Sequence, residues 1–353
     1  MINHLKLENY RNYDKYELNL EKTTVLVGLN GVGKTNVLEA VGLLSFGRSF
    51  REEDKKNLVK FDSDYARVTG DELEVFLQKN PRLLMAGKER GVRKKMADFI
   101  GTLLTVVFSP ETIEIITGSP AERRRFLDVA LSQVDREYYL ALSAYNKVRK
   151  QRNHLLQRIG SGDANESELK FWNDELCKSA EIINAKRVNA TGFLNEIISA
   201  LYSEISGDKD ENLMLIYHSK SGDDLAGKLA ENWRREVAYG ATIYGPHRDD
   251  LEFHLGKRNM ANFASRGEIR SAILALKVAE LEFLEKHVHD REDREEKFAS
   301  PMLLLDDIFS EFDPERREHL GGLILKYQSL ITTTEKEHLS DELTNKAKII
   351  ELK

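Results

Sequence analysis

The chain has 353 residues, of which 41% are hydrophobic and 32% are charged, and its formal net charge is −6. This composition is typical of a globular protein with a charged surface, long enough for two domains or one large two-lobed enzyme. It excludes a protein that is basic throughout, so a nucleic-acid site would have to be a local patch. The single cysteine, Cys177, excludes an internal disulfide. We expect a cytoplasmic protein without a membrane partner, because neither a signal peptide nor a run of ~20 apolar residues is visible.

The first 115 residues are predicted to contain short strands and one helix. Polar and apolar residues alternate at the start of the chain, and residues 23–28 form a β-branched apolar run that is typical of a buried strand. Residues 34–46 change to helical spacing, and residues 58–108 alternate again as short strands. Turns are predicted at 69–71, 80–81 and 86–88.

The middle of the chain is predicted to be helical. From Pro120 onward, apolar residues recur every three or four positions, which predicts one long amphipathic helix. The polar loop 160–167 leads to a second long helix, with Trp172 and Leu201 on its buried stripe. The charged segment 289–297 is expected to be a solvated linker. Further strands are predicted near 213–218, 251–255, 301–308, 328–332 and 346–353.

A phosphate-binding loop is predicted at residues 28–35. Their sequence, GLNGVGKT, matches G-x-x-x-x-G-K-[ST] and lies between a predicted strand and a predicted helix, the context that the motif requires. Its glycines let the backbone wrap closely around a polyphosphate. Lys34 is predicted to reach the β- and γ-phosphates of ATP, and Thr35 to bind Mg²⁺. The alternative is an ordinary glycine turn.

An acidic strand end is predicted to complete this site. Residues 301–307 (PMLLLDD) form an apolar strand that ends in Asp306 and Asp307. Asp306 is predicted to hold Mg²⁺, and Asp307 to orient or deprotonate the attacking water. Read without the phosphate loop, the same pattern is an ordinary buried strand that ends in a solvated turn.

The spacing of these motifs indicates an ABC-type ATPase. About 270 residues separate the phosphate loop from the acidic strand end, whereas small P-loop kinases and GTPases place the two much closer. In the ABC ATPases a large insertion divides the nucleotide site, and an S-x-G-E motif begins a helix before the acidic strand. Residues 265–268 (SRGE) are at the corresponding position in this chain, although the same four residues without this context would be interpreted as a helix-capping box. Asp313 has the place of the D-loop, and residues 332–334 that of the switch residue.

Three clusters of basic residues are candidates for contact with DNA phosphates. They lie at 88–95, 123–125 and 147–158, and for each the alternative is a solvated helix face. The residues predicted to contact DNA are Arg123, Arg124, Lys147, Arg149, Lys150 and Arg152.

Over its whole length the sequence resembles the RecF family of DNA replication and repair proteins, which belongs to the ABC/SMC superfamily. The motifs that carry this resemblance are LKLENYRNY (5–13), GLNGVGKTN (28–36), GRSFR (47–51), VVFSPETI (106–113), GSPAERRRFLD (118–128), KQRN (150–153), YGPHRDDL (244–251), SRGE (265–268) and LLLDDIFSEFD (303–313).

The resemblance implies an α/β fold, an ABC-type P-loop ATPase head with an inserted α-helical lobe. We expect residues 1–115 and 295–353 to form the ATPase lobe and residues 116–294 the mainly helical one. It also implies an ATP-dependent homodimer that binds gapped DNA or single-strand/double-strand junctions and that works with RecR and RecO to load RecA. ATP hydrolysis is expected to be slow. The alternative is an ABC-type ATPase subunit of a non-DNA assembly, or a scaffold that retains ATP without hydrolysing it.

The resemblance also implies the residues of the nucleotide site. Ser265 is expected to act on the γ-phosphate of ATP held by the other subunit, and Lys34, Asp306 and Asp307 on ATP in their own subunit. The residues expected to contact ATP are Arg11, Asn12, Gly28, Leu29, Asn30, Gly31, Val32, Gly33, Lys34, Thr35, Asn36, Ser265, Gly267, Glu268 and Asp313.

The sequence departs from the wider ABC pattern at four places. Asp307 replaces the usual glutamate, and Arg266 replaces the first glycine of the signature motif. No Q-loop glutamine follows residues 103–108, where Ser109 and Glu111 are the candidates to replace it. Residues 332–334 contain no switch histidine. His247 and Arg248, in the GPHRDD motif, have no role that the sequence reveals.

Overall fold

The structure is a computed structural model that describes residues 1–52, 54–222, 224–288, 300–336, 339 and 341–352, with the backbone alone at Asp341. The chain forms two compact units, one made of Met1–Thr112 with Ile273–Lys353 and the other of Ile113–Ala272. The second boundary falls within a long helix, whereas the sequence pattern places it at 294/295. The predicted linker at 289–297 lies outside the described residues.

The strands and the helices are numbered separately, each in the order in which they occur along the chain. The strands are β1 (His4–Tyr10), β2 (Tyr13–Asn19), β3 (Thr23–Val27), β4 (Tyr65–Gly70), β5 (Leu73–Gln78), β6 (Leu84–Glu89), β7 (Val92–Lys94), β8 (Thr105–Phe108), β9 (Leu213–His218), β10 (Asp250–Leu255), β11 (Arg258–Asn259), β12 (Met302–Asp306), β13 (Gln328–Thr333) and β14 (Lys348–Glu351). The helices are α1 (Lys34–Phe46), α2 (Met96–Phe99), α3 (Glu114–Thr117), α4 (Pro120–Val134), α5 (Arg136–Gly160), α6 (Leu169–Ser206), α7 (Leu225–Glu231), α8 (Trp233–Tyr239), α9 (Met260–Phe263), α10 (Arg266–His287), α11 (Pro314–Lys326) and α12 (Asp341–Lys346).

The first unit contains two sheets. One is parallel, with the order β14-β3-β13-β12-β8, and the other is antiparallel, with the order β2-β1-β4-β5-β6-β7. This mixed α/β architecture with a parallel sheet confirms the predicted fold class. The phosphate loop follows β3 and the acidic pair ends β12, with β13 between them, so both motifs lie at the carboxyl ends of the parallel strands. Ligands bind there in open α/β sheets.

Helix α1 packs against strands of both sheets in the first unit. Ten of the twelve residues that follow Lys34 in this helix are buried, including apolar residues on every side of the helix. A helix that is apolar all round is stable only when it is enclosed. The structure therefore confirms the predicted helix at 34–46 and anchors the phosphate loop to the centre of this unit.

The second unit consists mainly of helices. Helices α5 and α6 pack along each other as a hairpin, and β10 lies between β9 and β11 in a small antiparallel sheet. The strands predicted near 213–218 and 251–255 are confirmed, as is the loop between the two long helices. This mainly helical unit is inserted in the chain between the two segments of the first unit.

The predicted single helix after Pro120 is wrong. Asp135 has extended backbone angles (φ −121°, ψ 104°) and separates α4 from α5. Its carboxylate accepts a hydrogen bond from the Tyr138 N–H at 2.8 Å, which caps α5. The apolar spacing continues across the break because both helices bury the same stripe, so periodicity alone could not reveal it.

The turn predicted at 86–88 is also wrong, because these residues lie inside β6. The chain turns at Arg90 and Gly91, which both have positive φ. Gly87 is required for close packing instead: a Cβ atom at this position would lie 2.6 Å from Cγ of the buried Phe99 ring. Within the described ranges, no helix is long and apolar enough to cross a membrane.

Gly87→Ala is expected to lower the stability of the chain by about 1–3 kcal/mol, because the added methyl group displaces a fully buried ring. Gly322→Ala is the matched control: no atom lies within 4 Å of its added Cβ, and alanine is expected to stabilise the interior of α11 by about 0.5–1 kcal/mol. Urea unfolding midpoints of the two variants should therefore shift in opposite directions. Equal midpoints would contradict the packing described for Gly87.

Candidate functional site

The phosphate loop is closed by its own lysine. Lys34 Nζ donates hydrogen bonds to the carbonyl oxygens of Gly28 at 2.6 Å and Leu29 at 2.9 Å. Burial lowers the pKa of Lys34, and the carboxylates of Asp307 and Asp306 oppose that shift. No side chain in the described part of the chain caps α1, so the positive end of this helix faces the loop without a protein anion.

Three segments of the chain meet at the carboxylate of Asp306. Its Oδ1 atom accepts hydrogen bonds from Thr35 Oγ1 and from Thr332 Oγ1, each at 2.7 Å. Asp306 is 6% exposed, and burial raises its pKa while the two hydroxyl groups oppose the rise. The structure thus brings together both residues predicted to hold Mg²⁺.

Asp307 has an unusual conformation beside this cluster. Its φ of 49° and ψ of 29° are left-handed, and its N–H lies 3.0 Å from Thr332 Oγ1 and 3.1 Å from the Thr332 carbonyl oxygen. Its carboxylate oxygen Oδ1 is buried without a hydrogen-bond partner among the described residues. Buried polar atoms normally have a partner, so this oxygen is available for a ligand or a water.

Arg11 and Asn12 form the turn between β1 and β2 and hold α1 and the phosphate loop. The Arg11 guanidinium donates two hydrogen bonds, of 2.6 and 2.7 Å, to the carboxylate of Glu39, which is fully buried in α1. Asn12 Nδ2 donates to the Val32 carbonyl oxygen at 3.2 Å. Arg11 has a φ of 53°, in the left-handed region that tight turns use.

Glu39 joins this turn to the loop after α1. Its carboxylate also accepts a hydrogen bond from Ser49 and lies 3.7 Å from the Arg51 guanidinium. Burial raises the pKa of Glu39, but the hydrogen bonds from Arg11 and Ser49 outweigh it, so the pKa lies below its ordinary value.

A groove of about 720 Å³ opens beside the phosphate loop. Phe61 lies in it with 90% of its surface exposed. Its walls are mostly basic and amide side chains, which suit a polyanion with an attached ring. The lining residues are Arg11, Asn12, Asn36, Arg51, Glu52, Lys56, Asn57, Val59, Phe61 and Lys79, so that one carboxylate lies among four basic side chains.

The candidates for the Q-loop and D-loop positions differ in their surroundings. Glu111 is close enough to Asp306 to raise its pKa, whereas Ser109 bonds to the neighbouring Thr112. Asp313 caps α11 by accepting a hydrogen bond from the Arg316 N–H at 3.0 Å. A role of Asp313 toward ATP therefore stays a prediction.

The signature motif begins α10 as a capping box, as its sequence predicts. The Ser265 N–H donates to Glu268 Oε2 at 2.6 Å, and Ser265 Oγ accepts from the Glu268 N–H at 3.3 Å. Ser265 and Arg266 are exposed. Arg266 has no hydrogen bond or ion pair within the described residues.

Two of the residues predicted to contact DNA are buried, so the prediction is wrong for Arg123 and Arg152. Arg123 pairs with Asp250 through hydrogen bonds of 2.6 and 3.1 Å. Arg152 is fully buried and pairs with Glu236 at 2.5 Å. Both arginines lie at helical spacing from apolar residues on the buried stripe. This spacing indicates burial, but a count of the charges in each cluster does not take it into account.

The remaining basic residues of helix α5 are accessible. Lys147 and Lys150 are exposed and Arg149 is half-buried, and none of them pairs with a carboxylate in the described part of the chain. Arg124 is half-buried and donates to the Asp249 carbonyl oxygen at 2.7 Å. Lys147, Arg149 and Lys150 therefore stay candidates for phosphate contact.

The GPHRDD motif is held by a buried polar network in the second unit. The fully buried Asp249 accepts hydrogen bonds from the Tyr217 hydroxyl at 2.5 Å and from the Lys220 N–H at 2.6 Å. Arg187, 2% exposed, donates to Asp128 Oδ1 and to the Pro246 carbonyl oxygen, each at 2.8 Å. This network fixes the turn against α4 and α6.

His247 is neutral within this network. Its Nε2 lies 2.9 Å from the carbonyl oxygen of Thr242 and must carry the hydrogen, so Nδ1 accepts from the Tyr145 hydroxyl at 2.6 Å. Burial lowers the pKa of His247 to about 3, with Arg149, Arg248 and Arg124 adding to the effect.

The sequence analysis did not predict the roles of three residues. These are Glu39, Arg187 and Thr332, which donates a hydrogen bond to Asp306. A visible signal existed for two of them. Glu39 and Arg187 are charged residues at buried positions of apolar helices, and such residues are stable only when they are paired. The Thr332–Asp306 contact has no local signal, because it depends on β12 and β13 being neighbours.

Comparison with known proteins identifies the family that this chain is similar to. The family described as "RecF/RecN/SMC N terminal domain" matches residues 1–351. The DNA replication and repair protein RecF of Bacillus velezensis is 33% identical, covering 98% of this chain and 96% of that protein. The corresponding protein of Herpetosiphon aurantiacus is 35% identical, covering 96% and 94%.

Solved structures agree with this result. The recombination mediator protein RecF, solved with ATP in the RecFOR pathway, has a TM-score of 0.84 and 32% identity, covering 96% of this chain and 93% of that one. An Smc head domain derived from Pyrococcus yayanosii has a TM-score of 0.50 at 14% identity, covering 99% and 94%. The second likeness concerns the fold alone.

The buried neutral state of His247 predicts an acid-sensitive lobe. Because its pKa is about 3 when folded, below its ordinary value, the unfolded chain binds the extra proton first. Its contribution to stability is complete above pH ~6.5 and is lost as pH falls from there toward 3. His247→Gln should therefore weaken the pH dependence of the urea midpoint between pH 6.5 and 4.5. The control His154→Gln changes an exposed histidine of the same unit and should retain the parent slope; equal slopes in both variants would contradict the assignment.

Proposed function

The chain belongs to the RecF family, and on that basis we propose that it is a DNA-binding ATPase of replication and repair that dimerises when it binds ATP. The observation that carries the proposal is the cluster at the carboxyl ends of β3, β13 and β12. There the phosphate-loop threonine Thr35 is hydrogen-bonded to the buried Asp306, beside Lys34 and the partnerless oxygen of Asp307.

The donor set of this cluster fits ATP with Mg²⁺. Asp306 is buried with two neutral hydroxyl donors and no ion pair in the described chain, so its charge is poorly compensated. Carboxylate and hydroxyl oxygens are ligands that Mg²⁺ prefers. Thr35 and Asp306 would hold the ion, which when bound neutralises charge on the β- and γ-phosphate oxygens.

The phosphate loop supplies the remaining contacts to ATP. Lys34 can exchange its bonds to the Gly28 and Leu29 carbonyl oxygens for bonds to phosphate oxygens, and the uncapped start of α1 favours an anion. Asn12 and Arg11 fix the loop from outside. The groove next to them provides a place for the rest of the nucleotide.

Asp307 is the proposed general base. It takes a proton from a water whose oxygen attacks the γ-phosphorus, and the bond from that phosphorus to the β–γ bridging oxygen breaks to give ADP and inorganic phosphate. Its buried oxygen has no competing protein donor among the described residues. We propose slow turnover, because the chain lacks the usual Q-loop glutamine and switch histidine.

Ser265 is proposed to complete the site of a second copy of the chain. Its Oγ accepts one bond from the Glu268 N–H, which leaves the hydroxyl hydrogen for a phosphate oxygen. The same residue can therefore cap its own helix and contact ATP in the partner. Its exposure, and that of Arg266, supports a role in trans.

The proposed DNA partner is a gapped duplex or a single-strand/double-strand junction. Lys147, Arg149 and Lys150 on α5 supply positive charge without paired carboxylates, which suits phosphate contacts. Action in the cytoplasm with RecR, RecO and RecA is proposed from the family, because the relatives are named as replication and repair proteins.

Asp307→Asn tests the hydrolytic step. Asparagine has the same shape and tolerates the left-handed conformation at this position, so the fold and ATP binding should be retained. Phosphate release should fall about 10²-fold or more, because the general base is removed. A variant that hydrolyses ATP like the parent would show that Asp307 is not the base, and a parent without phosphate release would show a scaffold.

Ser265→Arg tests the dimer. The variant should bind ATP like the parent but should stay monomeric in light scattering with ATP and Mg²⁺, because the arginine side chain fills the space of the partner's γ-phosphate. Val188→Arg, at an exposed position of α6, is the control and should dimerise. A parent that remains monomeric with ATP and Mg²⁺, or a Ser265→Arg variant that dimerises, would overturn the sandwich arrangement.

A further inference from the structure

A groove of about 470 Å³ runs along one face of α5 in the second unit. Asn146, Lys150, His154 and Gln157 follow one another at helical spacing on this face, with Arg149 and Asn153 beside them. None of the lining side chains is a carboxylate or a large apolar group. Such a lining suits a phosphodiester backbone better than an apolar peptide.

The chain that follows α8 is hydrogen-bonded to two of the residues that line the groove. Gln157 Nε2 donates to the Gly240 carbonyl oxygen at 3.4 Å, and Asn153 Oδ1 accepts from the Thr242 N–H at 2.8 Å. Gly240, with a φ of 62°, ends α8 in the left-handed conformation. Tyr239 therefore lies immediately beside the lining of the groove.

Tyr239 has a largely exposed aromatic ring. It is 66% exposed, whereas Trp233 at the start of the same helix packs partly against the cluster of Leu155, Leu156 and Leu169. The guanidinium of Arg235 lies 5.8 Å from the centre of the Tyr239 ring. One ring face is thus supported by a cation, an arrangement that a stacked base completes.

We propose that this groove holds the backbone of single-stranded nucleic acid and that Tyr239 stacks on an unpaired base. The inference rests on the proposed DNA binding and names the part of a junction that this surface takes. Bases of a duplex are already stacked on one another and cannot cover the ring, whereas an unpaired base presents its π-face to any aromatic side chain. The amide and basic lining recognises the backbone without reading sequence.

Fluorescence anisotropy of labelled oligothymidine and of a blunt duplex, with the full chain and ATP, tests the proposal. Tyr239→Leu should weaken oligothymidine binding about five-fold or more and leave duplex binding unchanged, because one stacking contact is lost. Tyr239→Phe keeps the ring and should bind like the parent. Phe171→Leu, which changes an equally exposed aromatic residue outside the groove lining, should also bind like the parent.

Lys150→Gln separates this inference from the proposed function. It should weaken both DNA forms, because it removes a phosphate contact. If it does so while Tyr239→Leu binds oligothymidine like the parent, DNA binding stands and the stacking role is overturned. If Tyr239→Leu binds both DNA forms like the parent but no longer binds a protein partner, the surface is a protein interface and the inference is wrong. A parent that binds neither DNA form overturns both proposals.

Discussion

The hydrogen bonds that Thr35 and Thr332 donate to Asp306 join the phosphate loop, β13 and the acidic strand end at one point. The two partners of the first bond are 271 residues apart in the chain. The parallel sheet, in which β13 lies between β3 and β12, brings them together because the carboxyl ends of its strands lie on one edge.

A second buried carboxylate keeps the loop in place from the other side. Glu39 lies in the middle of α1 and pairs with Arg11, so the turn between β1 and β2 is tied to the helix that begins at the phosphate loop. Because Glu39 is fully buried, loss of the two Arg11 hydrogen bonds would leave its charge compensated only by Ser49 and by the Arg51 guanidinium 3.7 Å away. The N-terminal turn is thus part of the phosphate site through Glu39, whether or not Arg11 touches the nucleotide.

Patterns local in sequence allowed prediction of the helix at 34–46, the capping box at Ser265 and the strands of the parallel sheet, whereas the α/β class came from the resemblance to a known family. The predictions that were wrong for single basic residues failed because a local pattern of charge does not show which side of a helix a charged residue occupies. Arg123 and Arg152 belong to basic clusters in sequence but lie in the core, each paired with a carboxylate more than eighty residues away. Such pairing depends on tertiary contacts, so a count of local charge could not separate these arginines from Lys150. The break at Asp135 was hidden for a similar reason, since both helices share one apolar stripe.

The left-handed backbone at residue 307 accounts for a departure that the sequence shows but does not explain. Aspartate and asparagine are enriched several-fold in this conformation, whereas longer side chains are disfavoured. The N–H of Asp307 donates to Thr332 on the neighbouring strand β13, and the same threonine donates to Asp306. An aspartate in place of the usual glutamate thus fits the backbone. One of its carboxylate oxygens is buried without a protein partner among the described residues, and this is the atom that the proposed hydrolysis uses.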